Sequence, residues 1–181
     1  MKKYNVLGTI KNRKKWKTEW TPKKNKASAG QKEVWKSTWF VMNTSIAAFP
    51  LGKALKNIEI VNDENYRKVC TAFLLGVVDA YGQILNLREE EIVELVKLYL
   101  SKRYPEKEFG KQEANMLFKW LLKNYMQKKI LDIKQKGGDL AFLYYNTKQP
   151  KPLQLFNCVY DNQGAFVKKA KKKKKKLFGI F

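Results

Sequence analysis

The sequence predicts a mainly α protein: a compact four-helix-type domain with a small C-terminal β-hairpin and flexible basic ends. Three observations predict it. Apolar residues recur at three- and four-residue spacing in several segments between residues 31 and 125. Hydrophobic residues make up 44% of the 181, enough to build a core. The formal net charge of +22 is gathered at the two ends. Residues 1–36 hold 12 basic and 2 acidic side chains, residues 167–181 hold 8 lysines and no acid, and the stretch between holds 18 basic and 14 acidic. The chain therefore divides into a basic, tryptophan-containing arm (1–30), a helical domain (31–166) and a polylysine tail with an apolar end (167–181).

The arm carries Lys11, Arg13, Lys14, Lys15, Lys17, Lys23, Lys24 and Lys26, with Pro22 and Gly30 as breakers. Trp16 and Trp20 sit among those charges. A first helix is expected from Gln31 to Phe49, on an apolar stripe of Trp35, Trp39, Met42, Ile46 and Phe49. Pro50 stops it, because a residue before proline is pushed out of helical geometry. A short helical turn follows near Lys53 to Asn57. The second helix starts at Asn62 or Asp63 as N-cap, with Glu64 at the positive end of the helix dipole. Its middle, through Val69, Phe73, Leu74 and Val77 to Ile84, is apolar nearly all round and belongs at the centre of the core.

A third helix is expected from Asn86, with Glu89 closing a capping box and Ile92, Leu95, Val96 and Tyr99 facing inward. Pro105 ends it. A fourth begins near Lys111, with Ala114, Leu117, Phe118, Leu121 and Tyr125 inside and Lys111, Lys119, Lys123, Lys128 and Lys129 outside. Beyond it, Ile130 to Gln135 fits a helix or a strand, and Gly137-Gly138 fits a helix terminator or a hairpin turn. Aromatic and branched residues at Leu140–Tyr145 and Leu153–Tyr160 favour the hairpin.

The chemistry is bounded by absences. There is no histidine, which excludes Ser-His-Asp and Cys-His nucleophile pairs and imidazole metal sites. Cys70 and Cys158 alone cannot close a tetrahedral zinc site, so no metal and no cofactor is expected. No 18-residue apolar run exists, and the basic start of the chain lacks the apolar stretch of a signal peptide. Reduced thiols in the cytoplasm are the expectation. Asp79 interrupts the most apolar helix and needs a partner. Glu89, Glu90, Glu91 and Glu94 are explained by the first turns of their helix. Asp132-Ile-Lys134 matches only the last part of a metal-dependent nuclease motif.

The tail cannot be buried, because each ammonium would leave water without a partner. Lys168, Lys169, Lys171, Lys172, Lys173, Lys174, Lys175 and Lys176 are expected to contact phosphates, with Lys11, Arg13, Lys14, Lys15 and Lys17 as a second patch. Trp16 and Trp20 are candidate stacking groups for unpaired bases. This gives a non-catalytic, largely sequence-nonspecific binder of DNA or RNA. Leu177, Phe178, Ile180 and Phe181 beside the lysines suit a competing role, peripheral attachment to an anionic membrane.

The stretch Cys70-Thr-Ala-Phe-Leu-Leu-Gly-Val-Val-Asp-Ala80, followed by Tyr99-Leu100 and Tyr104-Pro-Glu106, resembles the helical core of Tai-type immunity proteins of type VI secretion. The resemblance covers about a third of the chain by pattern. It implies a helical module that binds another protein. That family consists of secreted, disulfide-bearing domains, and the sequence shows neither mark.

Overall fold

The computed structural model describes residues 28–57, 63–103 and 107–166, and the fold they form is mainly helical. Seven helices follow in order: α1 (Ala29–Ala47), α2 (Phe49–Lys56), α3 (Glu64–Ile84), α4 (Glu89–Arg103), α5 (Lys107–Asn124), α6 (Lys128–Thr147) and α7 (Leu153–Asp161).

Helix α3 is the axis on which the others pack. Asp63 caps it, its carboxylate accepting from the Tyr66 N–H at 2.7 Å. From Asn65 to Gly82 every residue but Arg67 is buried. It ends in a Schellman turn. The Leu87 N–H reaches the Gly82 carbonyl, the Asn86 N–H reaches that of Gln83, and Asn86 takes the left-handed conformation (φ 53°). Asn86 therefore closes α3 and does not open the next helix. Helix α4 starts three residues later, with Glu91 accepting from the Arg88 N–H at 2.9 Å. Its buried face, Ile92, Leu95, Val96 and Tyr99, is the expected one.

Two expectations about α1 change. Its start is an earlier and complete capping box: Ser28 Oγ accepts from the Gln31 N–H, and Gln31 Oε1 accepts from the Ser28 N–H. Its core stripe is Val34, Thr38, Val41, Met42 and Ser45, rotated away from Trp39, which is 39% exposed. The small Thr38 and Ser45 face inward, and the Ser45 hydroxyl is satisfied by the Val41 carbonyl at 2.8 Å. Large indoles then occupy the flank of the helix. The expected end also shifts: α1 stops at Ala47, and Phe49 and Pro50 form the first turn of the short α2, where a proline lacks no needed N–H.

The expected β-hairpin is absent. Leu140–Tyr145 lies inside α6, and Leu153–Tyr160 forms α7. The physical reason is tertiary. A Cβ on Gly137 would strike the Phe73 carbonyl, and one on Gly76 would strike the Lys134 carbonyl. The glycines let the backbones of α3 and α6 touch, which outweighs the roughly 1 kcal/mol each costs a helix. Helix α5 also stops at Asn124, so Lys128 and Lys129 open α6 and do not continue the outer face of α5. The expected flexible ends, residues 1–27 and 167–181, lie outside the described residues. No helix among the described residues is long and apolar enough to cross a membrane.

Candidate functional site

The grip assigned from sequence, from Lys11 to Trp20 and from Lys168 to Lys176, lies outside the described residues, as do Leu177, Phe178, Ile180 and Phe181. The structure fixes where those segments join the helical body. On the C-terminal side the join is Phe166. Its N–H donates to Asn65 Oδ1 at 2.8 Å, and its ring meets Trp120 edge-on at 5.0 Å. Asn65 is buried and also donates to the Asn162 carbonyl at 3.0 Å, so one side chain ties the start of α3 to the end of α7.

Asn162, tied to the Phe166 join through Asn65, also borders a cleft of mixed charge. An open cleft of about 630 Å³ is lined by Lys128, Lys129, Asp132, Ile133, Lys136, Asp161 and Asn162. Lys136 pairs with Asp161 at 3.3 Å across an exposed surface, a contact worth little in water. Lys119 and Lys123 are exposed on either side of Trp120 along α5. Lys68 lies with its ammonium 5.4 Å from the Trp120 ring centre, and it pairs with Glu64 at 2.6 Å.

The N-terminal side differs. Gly30 packs against Leu87 and the Leu85 carbonyl, at the far end of α3. The first turn of α4 lies alongside, bringing Glu89, Glu90 and Glu91, and Gln31 donates to Glu94 at 3.4 Å. Glu89 Oε1 is buried without a hydrogen-bond partner. Burial, then Glu90 and Asp79, hold its carboxyl above the usual range. The two basic segments thus leave from opposite ends of α3, whose 21 residues span about 31 Å.

A buried ion pair joins α3 and α6. Lys134 Nζ sits 2.6 Å from Asp79 Oδ2, both side chains 4% exposed, and Gln83 donates to the same oxygen at 3.0 Å. Desolvation pulls the Lys134 ammonium below its usual range, opposed by the Asp79 charge. The partner that Asp79 needs is this lysine. Lys134 faces the core while Asp132 is exposed, so the two do not share a catalytic face. Cys70 and Cys158 are free and buried, and burial pushes the Cys158 thiol up to about 11. Among the described residues, no three His, Cys, Asp or Glu side chains are grouped to hold a metal.

Sequence reasoning missed the cleft at the Phe166 join, Lys134 as the partner of Asp79, and the half-buried Glu89. Only Lys128 and Lys129 carried a signal, as adjacent cations. Comparison with protein-family models, with curated proteins and with solved structures gives no match.

Proposed function

We propose that the protein binds nucleic acid without catalysis and largely without sequence preference, held by electrostatic contacts from its two basic segments. The observation that carries the reading is the setting of Phe166. The segment with eight lysines begins immediately after Phe166, which is held by Asn65, and Asn65 donates to Asn162 at the edge of the cleft lined by Lys128, Lys129 and Lys136. Charges on the body continue the charge of the tail, so one phosphate chain meets both. Neutralising phosphates releases condensed counterions, and affinity then falls steeply with salt. Trp16 and Trp20 add stacking if the strand is single. Buried, free thiols suit a reducing compartment, and the reading places the protein in the cytoplasm.

The test is a salt series on the full chain with single-stranded DNA, duplex DNA, RNA and anionic vesicles. Steep salt dependence on nucleic acid, unchanged on removing residues 177–181, supports the reading. Vesicle binding that vanishes with those five residues, together with weak nucleic-acid binding, assigns the tail to a membrane surface. If none of these ligands binds at low salt, the helical body with a protein partner is the reading left.

A further inference from the structure

We propose that an exposed aromatic face shared by α1 and α6 receives the unpaired bases of a single-stranded nucleic acid. The inference deepens the proposed function and rests on it. Lys32, Lys36, Trp39 and Phe40 are all exposed on α1, and their spacing sets them on one side of the helix. Trp39 is 39% exposed and Phe40 47%. Phe40 stacks on Tyr144 of α6 with ring centres 5.2 Å apart. One turn further along α6, the Lys148 ammonium lies 4.8 Å from the Tyr145 ring and 5.9 Å from that of Tyr144.

The fold has little use for these rings outside, because α1 packs through Val34, Val41 and Met42. They are nevertheless held in place. Trp39 stacks on Trp35 at 5.5 Å and meets the buried Tyr99 edge-on at 5.4 Å. A ring already ordered loses little freedom when a base stacks on it. Charge selects the occupant. Lys32, Lys36 and Lys148 outweigh Glu33, the exposed acid beside them on α1. A second copy of the chain would bring +22 against +22. A single strand brings phosphates for the lysines and open base faces for the rings, whereas a duplex keeps those faces inside its stack.

The experiment uses the full chain with Phe40→Leu and Tyr145→Leu combined. Leucine keeps the apolar bulk and removes the π face. Fluorescence anisotropy compares an oligothymidine with a duplex of equal phosphate count at fixed salt. The expected result is a loss of about tenfold or more on the single strand, with the duplex unchanged. Equal losses on both, or an unchanged single-strand affinity, overturn this inference alone. A wild-type protein that binds neither overturns the proposed function with it. A wild-type dimer that the substitutions dissolve gives the face to a second copy and also overturns it. If the double variant melts early, Phe40→Leu alone decides between the same outcomes.

Discussion

The two ends of α3 differ in their own residues, charged from Glu64 to Lys68 and uncharged from Ala80 to Ile84, and in what packs around them. At its start, Phe166 is tied to Asn65, which also holds Asn162 at the edge of the cleft with Lys128, Lys129 and Lys136. At its finish, Gly30 packs on Leu85 and Leu87 next to the glutamate-rich first turn of α4. A basic segment leaves each pole. Under the proposed function, the lysines of the nearby cleft add to the charge of the C-terminal one. The N-terminal one starts beside glutamates that neutralise part of its charge. Under the proposed function the two segments should therefore be unequal grips, although their sequences carry similar positive totals. The body sets how much of each charge is available.

Removing residues 167–181 tests this most severely. Eight lysines lost should flatten the slope of log affinity against log salt by up to about 7 on duplex DNA and weaken binding about 10³-fold or more at low salt. Next comes the seam that keeps the poles apart. Lys134→Ala leaves the buried Asp79 without its cation, with only Gln83 donating to it, and should cost about 3 kcal/mol or more by denaturant unfolding. Asp79→Leu with Lys134→Met should recover most of that loss. Removing residues 1–27 should flatten the salt slope by less than half of what tail removal does. An equal effect would break the comparison. Lys128→Ala and Lys129→Ala should each reduce the slope by about 1, measured in the same titrations.

The smallest effect concerns the acidic pole. The carboxyl of Glu89 is held up in the folded protein, so the folded state retains its proton to higher pH than the unfolded chain. Ionisation therefore opposes folding above that range. The penalty is present at neutral pH and vanishes below the ordinary glutamate range near pH 4.3. Glu89→Gln should raise the unfolding free energy at pH 7 by under about 0.5 kcal/mol at this half-exposed site, and leave it unchanged at pH 3.

Helix α3 was legible in the sequence because its signals are local. The Asp63 cap, the apolar run and the inward face of α4 all follow from short-range pattern. Helix α6 was not. Gly137-Gly138 reads as a turn until Phe73, more than sixty positions earlier, is seen to press on it. Local preference pointed one way and the contact between backbones pointed the other. Asp79 announced a need for a partner but not which one, since Lys134 carries no mark distinguishing it from the lysines around it. Trp39 misled for a related reason. Its spacing fits a core stripe, but the smaller Thr38 and Ser45 fit more closely against the body of the molecule. The lysines of the two ends were legible as charge, while the character of the surface each springs from depended on helices distant in sequence.

Under the proposed function, the length of α3 also makes the molecule a ruler. Its 31 Å or so corresponds to about nine base pairs at 3.4 Å each. Short fragments bring one handle at a time into easy reach, and longer ones let both close without stretching across the helical body. A plot of affinity against fragment length should bend near that size, and shortening either handle should erase the bend while leaving the short-fragment limit of the other in place.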